Sequence, residues 1–274
     1  LIELFYYGII TKVWKWGGNL GRTIAVANQK GGVGKTTTAV NLSACLAQMG
    51  RKTLIVDMDP QGTTTSGLGV DKGKLVKTVY NVLLGECFIT DVLKDTPIPG
   101  LTLAPADMAL AGAEIELVVA GSREHILGKI LRDIKYTYDY VIIDCPPSLN
   151  ILTVNALTAT DTVLVPLQCE FYALEGLTQL FHTVDLIKKR LNSRLKVEGI
   201  VFTMYDGRTN LSLQVVDEVK RFVPPEIYKH IIPRNVRLSE APSHGLPITL
   251  YDRSSRGADA YIQLAEIVDE NDSL

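Results

Sequence analysis

The sequence predicts an α/β fold, a doubly wound and mostly parallel sheet flanked by helices. Three observations predict it. Apolar runs of strand length alternate with helix-length segments from residue 22 onward, the signature of βαβ units whose sheet is covered on both faces. A glycine-rich segment, Lys30-Gly-Gly-Val-Gly-Lys35, joins the first apolar run to the first helical stretch. Two further runs end directly in aspartate, Asp57 and Asp144, at the carboxyl ends where open α/β sheets place their ligands.

Taken in order, Thr23–Asn28 is the first strand, and the glycine loop carries it into a helix over Lys35–Met49. Lys52–Asp57 is the second strand, ended by Pro60 and Gly62, which stop a ladder and turn the chain. Strands follow at Leu101–Ala104, Tyr140–Asp144, Thr162–Leu167, Lys196–Met204 and Tyr228–Ile232. Helices are expected at Ser122–Tyr136, Ala173–Leu191, Leu211–Phe222 and Gly257–Val268. With no internal repeat and no low-complexity linker, residues 22–274 read as a single domain, preceded by a non-core extension over residues 1–21.

At 274 residues and 46% hydrophobic content, the chain is long enough for one large domain with a buried core. No run of about 18 apolar residues occurs, so no membrane span is expected. Cys45, Cys87, Cys145 and Cys169 form neither a CxxC pair nor a metal-like spacing and read as reduced thiols of a cytosolic protein. The formal charge of −2 hides a split, since residues 180–260 hold 13 Lys and Arg against 9 Asp and Glu, a balance of +4 that leaves −6 elsewhere. A solvated helix face accounts for such a split as well as a polyanion partner does. The extension contains Phe5-Tyr6-Tyr7 and Trp14-Lys-Trp16 but lacks the pattern of a secretory signal; a peripheral membrane anchor is its sharper reading.

A phosphate loop works because closely spaced glycines let successive backbone N–H groups face one cavity, while the following helix adds its positive N-terminal end. Gly31, Gly32, Val33, Gly34, Lys35, Thr36 and Thr37 stand between strand and helix, the context such a loop requires. The usual pattern, Gly, four residues, Gly-Lys-Ser/Thr, is broken at its first position by Gln29, and a second lysine, Lys30, precedes the glycines. Lys35 places positive charge where phosphoryl transfer builds negative charge. Thr36 is the expected direct ligand of Mg²⁺. Asp144 would hold the ion through water, because this hard cation keeps several waters among oxygen ligands.

The loop resembles that of the deviant Walker ATPases, the superfamily of the ParA and MinD proteins and the nitrogenase iron protein. Asp57-Met-Asp59-Pro60-Gln61 matches their DxDPQ segment. The resemblance implies that Asp59 orients and polarises the attacking water and that Asp57 supports the metal site. It also implies that Lys30 reaches across a nucleotide-sandwich homodimer to the partner's ATP. Lys30, Lys35 and Asp59 then form the catalytic set, and Mg²⁺ enters with ATP as substrate at Thr36, Asp57 and Asp144.

Further segments narrow the resemblance. Gly112-Ala-Glu-Ile-Glu-Leu117, Asp144-Cys-Pro-Pro-Ser148, Gln168-Cys-Glu-Phe-Tyr-Ala-Leu-Glu-Gly176, Arg208-Thr-Asn-Leu211 and Ile232-Pro-Arg-Asn-Val-Arg-Leu-Ser-Glu-Ala-Pro-Ser-His-Gly245 look like the chromosomal ParA proteins, often called Soj, over about residues 22–270. This implies an ATP-hydrolysing switch for chromosome or plasmid segregation, cytoplasmic and nucleoid-associated. Its ATP-bound dimer would bind double-stranded DNA non-specifically and be released after hydrolysis stimulated by a ParB-like partner. By the same resemblance, Met204 and Pro233-Arg234-Asn235 lie near the adenine. Arg208 and Arg237 belong to the DNA-binding face, with Lys188, Lys189 and Arg234 as further contributors. A MinD-like membrane-associated positioning ATPase is the alternative. It needs a basic amphipathic C-terminal helix, whereas this chain carries the acidic segment Glu266-Ile-Val-Asp-Glu-Asn-Asp-Ser-Leu274, which anionic lipid would repel. An iron–sulfur relative needs a cysteine spacing that is absent, and a metabolic kinase needs an acceptor site that the sequence does not display.

Overall fold

The computed structural model describes residues 21–119, 121–224 and 227–270. The expected extension therefore lies outside the described residues except for Gly21. In chain order the strands are β1 (Arg22–Val26), β2 (Thr53–Asp57), β3 (Lys94–Asp95), β4 (Leu101–Ala104), β5 (Tyr140–Asp144), β6 (Thr162–Gln168), β7 (Lys196–Tyr205) and β8 (Tyr228–Pro233). The helices are α1 (Lys35–Gln48), α2 (Thr63–Gly67), α3 (Val79–Leu83), α4 (Leu110–Glu116), α5 (Ile126–Arg132), α6 (Ile151–Ala159), α7 (Ala173–Arg190), α8 (Asn210–Phe222), α9 (Val236–Glu240), α10 (Ile248–Tyr251) and α11 (Arg256–Glu270). The strands form one eight-stranded sheet in the order β3-β4-β2-β5-β1-β6-β7-β8. Every neighbouring pair is parallel except β3 with β4. The doubly wound, mostly parallel fold read from the sequence is thus the fold observed.

Alternation along the strands builds the core. Ile24 and Val26 of β1 face one side with Ile55, Ile142, Leu164 and Val201, where they pack with residues of α1 and α11 such as Leu42, Leu46, Tyr261 and Leu264. Ala25 faces the other side with Leu54, Val56, Val141, Ile143, Val163 and Phe202, beneath Leu127, Leu157, Leu177 and Val216 of the helices α5 to α8. Successive side chains of a strand point to opposite faces, so a strand buried on both faces reads as a continuous apolar run. Among the described residues no helix is long and apolar enough to cross a membrane.

The expected strands agree with the observed ones to within two residues at either end. The helices agree less well. Residues 122–136 form two 3-10 turns flanking the short α5 rather than one helix. The break after α5 comes at Ile134, whose φ of −122° leaves the helical region. Helix α6 carries no start signal of charge or periodicity, because it is apolar on nearly every side. It is set instead by Asn150, whose side-chain oxygen accepts the N–H groups of Leu152 and Thr153 at 3.1 Å each.

The topology gathers the polar strand ends. β2, β5 and β1 are consecutive in the sheet. Their register sets Asp57 beside Asp144 and Asp144 beside Val26, two residues before Asn28. The glycine loop and both buried aspartates therefore emerge side by side at the carboxyl ends of the central strands.

Candidate nucleotide-binding site

The loop between β1 and α1 keeps the shape its glycines allow. Gly32 and Gly34 have φ of 74° and 86°, left-handed values that residues with a Cβ adopt at a cost. Gly34 occupies the N-cap of α1, and the Thr203 hydroxyl at the end of β7 anchors the loop by donating to the Val33 carbonyl at 2.8 Å. Among the described residues this leaves the loop's N–H groups and the start of a 14-residue helix facing a cleft of about 440 Å³.

The two lysines go to different places. Lys35 is buried and its Nζ donates to the Lys30 carbonyl at 3.0 Å. Burial pushes its ammonium below the usual lysine range, opposed by attraction to Asp144, Cys145 and Asp59. The Lys30 N–H is tied to Asn28 Oδ1 at 3.0 Å, and Asn28 Nδ2 donates to the Pro166 carbonyl at 2.7 Å. The Lys30 ammonium, by contrast, forms a partly exposed ion pair with Glu170, and neither residue lines the cleft.

Asp57 and Asp144 are fully buried. Both Asp57 oxygens are engaged: Oδ2 accepts the Thr65 N–H at 2.9 Å and hydroxyl at 2.7 Å, and Oδ1 accepts the Asp59 N–H at 3.2 Å. Asp57 thereby ties the segment after β2 to the sheet. Asp144 accepts the Thr64 hydroxyl at 2.7 Å on Oδ2, and the nearby Thr36 hydroxyl also helps to hold its carboxyl down. Burial raises both carboxyl groups above the usual range, and their mutual repulsion raises Asp144 further. Asp144 Oδ1 is buried with no hydrogen-bond partner. An orphaned carboxylate oxygen beside a threonine hydroxyl fits a hydrated Mg²⁺, which takes few protein ligands and completes its shell with phosphate and water. Among the described residues no three His, Cys, Asp or Glu side chains form a metal cage.

Asp59 lines the cleft half-buried, and its Oδ1 accepts the Gln61 N–H at 2.9 Å. The turn that aims it depends on Gly62, whose φ is 59° and where a Cβ would meet the Ala106 carbonyl oxygen at 2.6 Å. Opposite the loop, Met204, Pro233, Arg234 and Asn235 line the same cleft. Met204 is itself left-handed, with φ of 49°, where the β7–β8 register shifts between Phe202 and Tyr205. The structure thus brings the phosphate-loop residues, Asp59 and the four expected adenine neighbours together.

Thr64, Thr65, Glu170, Thr203, Leu238 and Tyr261 also belong to this site or brace it, and sequence reasoning did not single them out. The run Thr63-Thr-Thr65 directly after the Asp-Pro-Gln-Gly turn is the one local signal that pointed to two of them. A larger hollow of about 630 Å³, lined by Cys87, Phe88, Ile134 and Tyr138, lies beside the amino end of β5. Its lining holds Glu86 and Asp133 but no lysine or arginine, which suits no phosphate.

Arg208 and Arg237 follow the carboxyl ends of the adjacent strands β7 and β8. Each is already paired. Arg208 grips Asp206 through two bonds of 2.8 and 2.6 Å, which hold that carboxyl far below its usual range. Arg237 pairs with Glu240 at 2.9 Å and Asp252 at 3.3 Å. Arg234 lies near the first pair, its N–H donating to the Tyr205 carbonyl at 3.0 Å. Lys188 and Lys189 are elsewhere: they occupy the last turn of the 18-residue α7, about 22–24 Å along its axis from its start after β6. The structure does not join them to Arg208, because the helix runs back toward the amino ends of the strands.

Residues 21–197 match the AAA domain family. The structure resembles cobyrinic acid a,c-diamide synthase from Mycobacterium smegmatis with bound ADP and magnesium, with a TM-score of 0.78 and 41% identity over 90% of this chain and 93% of that one. Fold and site together define a P-loop ATPase with a parallel doubly wound sheet. The chain is 56% identical over 252 residues to the sporulation initiation inhibitor protein Soj of Bacillus subtilis (strain 168), a match covering 92% of this chain and 100% of that protein. It is 52% identical over 254 residues to the chromosome partitioning protein ParA of Myxococcus xanthus (strain DK1622), covering 93% and 90%. The chain belongs to the ParA/Soj family of chromosome-partitioning ATPases.

Proposed function

We propose that this protein is an ATP-driven segregation switch. Two protomers close on two nucleotides, and the closed dimer binds duplex DNA without reading its sequence. Hydrolysis, stimulated by a ParB-like partner, opens it again, so that the protein cycles between cytoplasm and nucleoid. The observation that carries this reading is the divergence of the two lysines. Lys35 is buried in its own cleft, while Lys30 carries its ammonium away from it to a partly exposed pair with Glu170. A phosphate-loop cation held outside its own cleft serves a phosphate that arrives from outside the protomer.

Within each cleft the loop N–H groups and Lys35 bind the phosphates, and Met204, Pro233, Arg234 and Asn235 flank the base. Thr36 and Asp144 would hold Mg²⁺, which when bound neutralises charge on the phosphates; the magnesium beside ADP in the mycobacterial relative supports this. Asp59, with one oxygen fixed by Gln61, holds the attacking water with the other. Asp57 keeps that turn in place from beneath.

Lys30→Gln is expected to retain nucleotide affinity within a few-fold and to remain monomeric. Light scattering with a slowly hydrolysed ATP analogue tests it, and ATP-dependent dimers of ordinary stability would overturn the cross-dimer role.

Arg208 and Arg237 are the proposed phosphate contacts on DNA. Their present carboxylate partners are partly open to solvent, which screens such pairs, so exchange for DNA phosphates costs little. Arg208→Glu or Arg237→Glu should weaken binding to every DNA sequence alike. Each lost contact should flatten the log–log salt dependence by about 0.9, with dimerisation unchanged. Retention of parental salt curves by both variants would place the strip elsewhere.

A further inference from the structure

We infer that Glu170 is a positioning residue for Lys30, occupying its ammonium in the free protomer and releasing it only to a nucleotide phosphate of a second copy. This rests on the sandwich reading above. The Lys30–Glu170 ion pair joins residues 140 positions apart, so it is made by the fold and not by local sequence. Lys30 and Glu170 side chains are 37% and 44% exposed, which leaves the pair open to exchange. Glu170 sits in a short connection between β6 and α7, held by its backbone through Glu170 N–H to Gln168 at 2.9 Å and Ala173 N–H to Glu170 at 2.9 Å. Among the described residues no other hydrogen bond of its carboxylate competes with Lys30.

The chemistry gives the pair a direction. A single carboxylate offers Lys30 one negative charge, whereas a terminal phosphate offers more charge and more acceptor oxygens. Glu170 also repels any phosphate brought to Lys30. A nucleotide without its terminal phosphate gains little by displacing Glu170, and one that carries it gains more. The ion pair thereby sets a threshold against dimers that lack ATP. Phe171 and Tyr172, packed edge to face and 78% and 65% exposed, follow Glu170 directly.

Two measurements test this on the full chain. Acylation of the Lys30 amine by a lysine-selective reagent, read by mass spectrometry without nucleotide, should quicken in Glu170→Gln and stay near parental in Glu170→Asp. An unchanged rate in Glu170→Gln overturns the hold. Dimerisation with the slowly hydrolysed analogue should tighten in Glu170→Gln by roughly 2- to 30-fold, the effect of an exposed ion pair counted once per protomer. Glu170→Asp, which keeps the charge, should leave dimerisation near parental, a charge dependence that a merely structural role for Glu170 would not produce. A parent that dimerises while Glu170→Gln gains nothing overturns this inference alone. A parent that stays monomeric with the analogue overturns the sandwich reading and this inference with it.

Discussion

Lys35→Ala is expected to abolish nucleotide binding at working concentrations while the protein remains folded. Lys35 is the buried cation of the cleft, close enough to Asp144 and Asp59 to feel both. Without it, a polyphosphate would meet Asp144 and Asp59 with no buried cation to offset them. Breaking a buried charge contact from one side costs about 3–5 kcal/mol, a fall of roughly 150- to 5,000-fold in affinity. Stability should change far less, because burial already disfavours the ammonium and attraction to Asp144 only offsets that cost. Titration with a fluorescent nucleotide, beside a thermal melt of the free protein, separates the two effects. Affinity within tenfold of the parent would show that the loop backbone alone binds the phosphates.

Asp59→Ala is expected to bind ATP as the parent does and to turn it over about 10²- to 10⁴-fold more slowly, the usual contribution of a group that activates or positions a nucleophile. The folded state loses little, since the carboxylate is half-buried and its one hydrogen bond is to the Gln61 N–H of its own turn. The variant should therefore accumulate as an ATP-bound dimer with ordinary ATP, visible by light scattering, while phosphate release falls. A variant with parental turnover removes Asp59 from the mechanism. Asp57 would not give this result, because all its bonds hold structure and its loss would disorder the turn that aims Asp59.

Much of the site was legible in the chain. Gly31 to Thr37, Asp59 and Asp144 declare themselves because each lies within a few residues of an apolar run that becomes a strand, and strand ends are where this fold exposes polar groups. The short elements α2, α3, α4, α9, α10 and β3 escaped, being too brief to show a period. Helix α6 escaped because its sides do not differ in polarity, and residues 122–136 read as one helix because backbone φ at Ile134 leaves no mark on the pattern. Charge balance along the chain counts residues 180–260 together, yet α7 carries Lys188 and Lys189 away from Arg208.

By itself the sequence determined the alternation of strands and helices, the phosphate loop with its two lysines, and the aspartates that end two strands. All of these are written in neighbours no more than a few positions apart. Tertiary structure decided which distant groups meet. Thr203 reaches Val33 across 170 positions and Lys30 reaches Glu170 across 140. Met204 meets Pro233 only because β7 and β8 are neighbours. It also separated the two aspartates of β2's end, saturating Asp57 at the end of its strand while leaving Asp59 in the cleft. Such pairings depend on strand order and helix direction, which are set when the whole core is packed on both faces of the sheet and not by any local run of residues.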